Sequence, residues 1–104
     1  MIFSATEKFT RNERIAGQIQ KYLASELNEF SKMIGAGLLT VTFVKLSNDR
    51  KSAKVYLSLY DNPKKIDFIV QQINDNSYRL QESLSSALRL KKTPILKFFK
   101  QEAY

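Results

Sequence analysis

Apolar residues recur at helical spacing through the first third of the chain. Ile15, Ile19, Leu23, Leu27 and Phe30, with Tyr22 beside Leu23, fall on one stripe, the pattern of an amphipathic helix that buries one face. Thr10-Arg11-Asn12-Glu13 precedes it in the Thr-x-x-Glu form of a capping box, where each end satisfies the other's free N–H. The spacing predicts a helix from about Arg11 to Phe30 or Met33, after a loose lead-in over residues 1–9. Gly17 inside it either costs some helix propensity or admits a close backbone approach. Ile34-Gly35-Ala36-Gly37 ends it, because glycine supplies the dihedrals of a C-cap or tight turn. These glycines follow a helix instead of leading from a strand into one, so they are not read as a phosphate loop.

The pattern then changes period. Leu38 to Leu46 is rich in Thr, Val and Phe, and Ala53 to Tyr60 alternates. Val55, Leu57 and Leu59 point one way, while Lys54, Tyr56, Ser58 and Tyr60 point the other, which predicts a half-buried strand. The polar run Ser47 to Ser52 between them predicts an antiparallel hairpin with Arg50 and Lys51 at its tip. Asn62-Pro63 has the form of an N-cap and first-turn proline. It opens a second helical stripe of Ile66, Ile69, Ile73, Leu80, Leu84 and Leu88. Asn74-Asp75-Asn76-Ser77 interrupts that stripe with four poor helix formers and predicts a kink or break. Leu88 to Phe98 reads as a helix end, a basic elbow and a last strand. Leu88, Leu90, Ile95, Leu96 and Phe98 anchor it, and Pro94 fixes the turn. Ile95 to about Lys100 places Leu96 and Phe98 on one face and Lys97 on the other. The order is α-β-β-α(kink)α-β, an α+β domain whose three-stranded sheet needs its helices packed on one face.

Charge changes the picture more than size does. At 104 residues the chain is read as a single domain, 1–104, large enough for a modest core. Seventeen Lys and Arg against ten Asp and Glu give a net charge of +7 and a pI near 9.7. Such an excess favours polyanionic partners. Cysteine and histidine are both absent, which excludes disulfides, thiolate nucleophiles, zinc fingers and Ser-His-Asp triads. No distinctive pair of carboxylates, lysines or tyrosines replaces them, so no enzyme activity, metal, cofactor or small-molecule substrate is expected. The N-terminus lacks the form of a signal peptide and no apolar run could span a bilayer. An intracellular, cytoplasmic monomer without a membrane partner is the expectation.

Three segments taken in order resemble the ribosome-binding factor A family, over about Arg11 to Phe99. Arg14-Ile15-Ala16-Gly17-Gln18-Ile19-Gln20 is similar to the family's first-helix signature. Leu39 to Ser47, then Ala53-Lys54-Val55-Tyr56-Leu57-Ser58, resembles its hairpin. Leu88-Arg89-Leu90-Lys91-Lys92-Thr93-Pro94-Ile95-Leu96-Lys97-Phe98 resembles its closing motif, Leu-Arg-Leu-Arg-x-Val-Pro-Glu-Leu-x-Phe. The resemblance implies a type II KH-like fold, no catalytic activity, and binding to the immature small ribosomal subunit during late maturation and processing of its rRNA. It also implies importance for growth in the cold. In this family an Ala-x-Gly kink stands where ordinary KH domains carry Gly-x-x-Gly. Here the kink aligns with Asn76-Ser77-Tyr78, so neither Ala nor Gly is kept. The Asp-Pro-Arg that often precedes the first strand is also missing, with Met33 to Ala36 standing near its place.

Four groups are candidates for RNA contact. They are the elbow (Arg89, Lys91, Lys92, Lys97), the kink (Asn76, Ser77, Tyr78, Arg79), the hairpin tip with its strand (Arg50, Lys51, Lys54), and the second helix start (Lys64, Lys65). Each cation is equally readable as a solvated surface charge. Those of the elbow could simply complement a helix C-terminus, and those at Lys64 and Lys65 oppose a dipole. Arg89 ranks first for its fork geometry and family match. Tyr56 and Tyr60 could stack on bases or merely reflect β-propensity. Phe43, Phe98 and Phe99 are read as core or packing residues. Shape and backbone recognition of folded rRNA is expected over base-specific readout. The alternatives are a general single-stranded RNA-binding KH-like module acting away from ribosomes, and a protein-interaction or membrane-surface module using the first helix.

Overall fold

A computed structural model of the chain describes residues 10–35, 37–60 and 65–101. The lead-in, the Asn62-Pro63 cap and Lys64 lie outside the described residues. The elements are α1 (Arg11–Ile34), β1 (Leu39–Leu46), β2 (Ser52–Leu59), α2 (Ile66–Asp75), α3 (Ser77–Leu88) and β3 (Ile95–Lys100), in the order that the periodicity predicts.

Helix α1 starts at the capping box. Thr10 Oγ1 accepts from the Glu13 N–H at 3.0 Å, and Glu13 Oε1 accepts from the Thr10 N–H at 2.8 Å. It ends at Gly35, whose φ of 65° is left-handed, a conformation that only glycine adopts without a Cβ penalty. One turn before that end Ser31 is fully buried, and its hydroxyl donates to the Gly37 carbonyl. Gly17 has no heavy atom within 4 Å of where a Cβ would stand. It therefore weakens the helix slightly and admits no close neighbour.

The sheet order is β1-β2-β3, with β1 antiparallel to β2 and β2 parallel to β3. All three helices pack on one face. The core joins Ile19, Leu23 and Leu27 of α1 to Val41, Val55, Leu57, Leu96 and Phe98 of the sheet and to Ile69, Ile73 and Leu84 of the kinked pair. Burying each such side chain contributes about 1.5–3 kcal/mol, which is why the apolar stripes decide the architecture. Among the described residues the opposite face of the sheet carries no helix.

Two side-chain placements narrow or correct the sequence reading. Of the core or packing roles expected for it, Phe43 takes only the second: it is 52% exposed and packs against Tyr56. The β1–β2 register slips between Val41 and Phe43, so Thr42 is an extra, bulged residue. Leu39 and Val41 face inward before it and Val44 and Leu46 after it, which leaves Phe43 on the outer face. Ile95 is no anchor. It is 57% exposed at the start of β3, while Leu96 and Phe98 are buried. Phe99 points outward and packs against Tyr56, with ring centroids 5.6 Å apart.

Candidate nucleic-acid interface

The hairpin tip is built from its own short polar side chains. Asp49 Oδ1 accepts from the Ser47 hydroxyl at 2.7 Å and from the Lys51 N–H at 3.0 Å. The Lys51 amide, then the Ser47 hydroxyl, hold the Asp49 carboxyl below its ordinary pKa, since both favour the ionised form. Ser47 Oγ in turn accepts from the Ser52 N–H at 3.1 Å. Within this loop Arg50 takes a left-handed φ of 61°.

Asn12, in the first turn of α1, locks that tip to the helix. Its Oδ1 accepts from Arg50 Nε at 2.6 Å, and its Nδ2 donates to the Ser47 carbonyl at 3.2 Å. A guanidinium has five N–H donors in a fixed fork. The Asn12 contact uses Nε and orients the two terminal nitrogens.

The elbow meets the tip from the other side. Helix α3 ends at Arg89, which is left-handed at φ 53° and ψ 46°. The Leu90 N–H reaches back to the Ser85 carbonyl at 3.3 Å, the long bond of a Schellman-type end. That position normally takes glycine, and a residue with a Cβ there costs about 1–2 kcal/mol. Arg50 and Arg89 are the non-glycine residues with positive φ among the described residues. Both line one cleft of about 450 Å³, together with Arg11, Ile15, Leu46, Asp49, Leu90, Lys91, Lys92 and Pro94. Five cations surround it, and the one carboxylate, Asp49, is already engaged by its own loop.

The chemistry of this lining, planar guanidinium forks and mobile ammonium groups beside Ile15, Leu46 and Leu90, suits phosphate oxygens. The two salt bridges among the described residues, Glu29–Lys32 and Asp67–Lys100, use none of its cations. No group of three or more acidic residues among the described residues could hold a metal ion.

The other candidates fall elsewhere. Asn76 alone separates α2 from α3, with φ −111°. That value needs no glycine, so the kink forms without the Ala-x-Gly spelling. Twelve residues of α3 put the kink about 18 Å from the elbow. The sequence around it is mixed in sign, with Arg79 between Asp75 and Glu82. Tyr78 is 67% exposed, and a hydrogen bond to Glu82, reinforced by that group's charge, raises its pKa. Lys54 and Lys97 stand on the outer sheet face, away from Arg89. Lys51 is exposed at the tip but does not line the cleft. Lys65 is exposed just before α2. Tyr60 lies past the end of β2, 77% exposed, apart from Tyr56.

Sequence reasoning missed Arg11 and Asn12 as members of this site, and Lys45 as a partner of Lys54. For Lys45 the signal was present, because hairpin register sets it opposite Lys54. For Arg11 and Asn12 none was, since the contact is between segments 35 or more residues apart.

The element order and the mixed β1-β2-β3 sheet define a type II KH-like domain with a cationic cleft at one end. The ribosome-binding factor A family profile matches residues 11–104. Ribosome-binding factor A of Staphylococcus carnosus is 33% identical over 88 residues, covering 85% of this chain and 76% of that protein. Among solved structures, the crystal structure of ribosome-binding factor A from Thermus thermophilus superposes with a TM-score of 0.73 at 23% identity, covering 90% of this chain and 100% of that one. A homology model of the Thermus thermophilus factor, fitted into a cryo-EM map of its complex with the 30S subunit, gives 0.69 at 24% identity, covering 83% and 90%. The chain belongs to the ribosome-binding factor A family.

Proposed function

We propose that this chain is a non-catalytic assembly factor that binds the immature small ribosomal subunit and assists late maturation of its rRNA. It acts as a cytoplasmic monomer, and its absence is felt most in the cold. The observation that carries the reading is the convergence of Arg11, Arg50, Arg89, Lys91 and Lys92 on one cleft. In a chain of net charge +7, cations gathered in one place favour a polyphosphate backbone through counterion release. Family membership and the 30S complex of the Thermus thermophilus factor support the subunit as the source of that backbone. The cleft reads phosphate positions and shape, which sets orientation without base identity. The kink, with acids on either side of Arg79, makes the lesser contribution.

Co-sedimentation of the purified chain with precursor and mature small subunits tests this directly. Binding to precursor subunits at moderate salt is expected. Replacing Arg89, Lys91 and Lys92 with Glu should weaken it and flatten its salt dependence. A chain that never co-migrates with subunits removes the function, and an unchanged salt slope removes the cleft.

A further inference from the structure

The sheet face that no helix of the described residues covers carries two rows that strand register sets side by side. Lys45 is opposite Lys54, and Lys54 opposite Lys97; two residues further along, Phe43 is opposite Tyr56, and Tyr56 opposite Phe99. The three rings form a continuous line, with centroids 6.2 Å apart for Phe43–Tyr56 and 5.6 Å for Tyr56–Phe99. The outer members remain open, Phe43 at 52% exposed and Phe99 at 39%.

Both rows depend on the bulge. With Thr42 held in the ladder, Phe43 and Lys45 would turn to the core and Val44 and Leu46 to water. The extra residue lets β1 keep its buried residues and still contribute one aromatic ring and one ammonium group to the outer face. Bulges that re-aim side chains in this way cluster at functional surfaces.

Charge identifies the occupant. None of the outward residues of the three strands is acidic, and the three lysines take part in neither salt bridge found among the described residues. Neighbouring strands are about 5 Å apart, so three ammonium groups across them repel one another until a polyanion arrives. An acidic peptide would answer the lysines but leave the rings without flat partners, and a duplex would offer phosphates but hide its bases. Single-stranded RNA brings both: phosphates for the lysines and π-faces for the aromatics. The lysine row is the one nearer Pro94 and Arg50, so a strand leaving the rings passes over it towards the cleft.

We propose that this sheet face is a second nucleic-acid surface: a stacking platform for single-stranded RNA, with bases on the exposed rings of Phe43 and Phe99, Tyr56 packed between them as their support, and phosphates on Lys45, Lys54 and Lys97. It is separate from the cleft and does not depend on the subunit being the partner.

The chain has no tryptophan, so Phe43→Trp installs a single fluorescent reporter in the row. A short oligouridylate should quench it, and heparin, a polyanion without bases, should not. Replacing Lys45, Lys54 and Lys97 together with Gln should weaken oligouridylate binding about tenfold at low salt. Replacing Tyr56 and Phe99 with Ser should cost a similar factor. The elbow variant with Glu at 89, 91 and 92 should still show quenching by oligouridylate. In the unsubstituted chain, photo-crosslinking with a thiouridine oligonucleotide should give adducts on β1, β2 or β3. Equal quenching by heparin, no quenching, or adducts confined to the elbow overturns the platform. Each of those results leaves the cleft and its subunit binding to be judged by co-sedimentation.

Discussion

Asn74 pairs with Phe98 through two reciprocal hydrogen bonds. Its Nδ2 donates to the Phe98 carbonyl and its Oδ1 accepts from the Phe98 N–H, each at 2.9 Å. β3 is an edge strand, and its even-numbered amides point away from β2. Asn74 satisfies one, and Gln81 Oε1 satisfies another by accepting from the Leu96 N–H at 2.9 Å. One comes from each side of the Asn76 break, so the kinked pair grips the strand edge with both helices. This also blunts an edge that would otherwise be free to pair with another chain.

Removing the grip should cost stability. Asn74→Ala leaves a donor and an acceptor of Phe98 without protein partners, and about 1–3 kcal/mol is expected. Asn74→Asp keeps only the acceptor role and should fall between. Urea unfolding monitored by circular dichroism measures both. An Asn74→Ala midpoint equal to that of the parent would show that water replaces the pair at no cost.

How far the fold was legible follows from where its information lies. Local patterns carried the element order: the stripe from Ile15 to Phe30, the alternation at Val55, Leu57 and Leu59, and the helix-poor run around Asn76. The run was legible as a break but not as a grip, because Asn74's role exists only once β3 lies beside it. Phe43, read as core or packing, proves to be packing only, against Tyr56. Its apolar character suggested core, yet the inward positions Leu39, Val41, Val44 and Leu46 skip phase by one, and that skip is the bulge. The cleft was legible only in pieces. Arg50 and Arg89 stood out as cations in separate segments, while their convergence with Arg11 is a product of the closed fold.

Arg89 separates fold from function cleanly. Glycine in its place relieves the left-handed Cβ penalty and adds back entropy in the unfolded chain. These effects oppose each other, so Arg89→Gly should change unfolding free energy by less than about 1 kcal/mol. Its RNA binding should weaken, with the salt slope falling by about 1 for each phosphate no longer neutralised. A variant that binds subunits as the parent does, with the same slope, would place Arg89 outside the interface.

The Asp49 loop should respond to acid. Hydrogen bonds from the Lys51 amide and the Ser47 hydroxyl lower the Asp49 pKa in the fold below 3.8, the value an unperturbed carboxyl has. The ionised form is thus favoured by folding. Its contribution is present above the unfolded value and is lost as pH falls through the lower folded one. The Lys51 amide resonance should therefore titrate with a midpoint below 3.8. In Asp49→Asn that titration should vanish. A Lys51 amide that ignores pH in the parent would mean the carboxylate does not hold the loop.

The bulge makes the sharpest structural prediction. Deleting Thr42 joins Val41 to Phe43 and yields strict alternation, with Leu39, Val41, Val44 and Leu46 inward and Thr40, Phe43 and Lys45 outward. Every buried residue keeps its face. What is lost is the local twist and the exposed hydrogen bond of the Thr42 hydroxyl, whose one proton is shared between the Tyr56 carbonyl at 3.1 Å and Gln101 Oε1 at 2.9 Å. The deletion should fold cooperatively at a cost of about 1 kcal/mol. Deleting Lys45 also removes one residue, but from a stretch with no slack. It turns Leu46 to water or shifts the hairpin, and forfeits about 1.5–3 kcal/mol of burial besides the turn's hydrogen bonds. Urea unfolding of the two variants side by side decides the matter. If both lose the same stability, Thr42 is not the surplus residue, and Phe43 and Lys45 owe their outward placement to something other than the bulge.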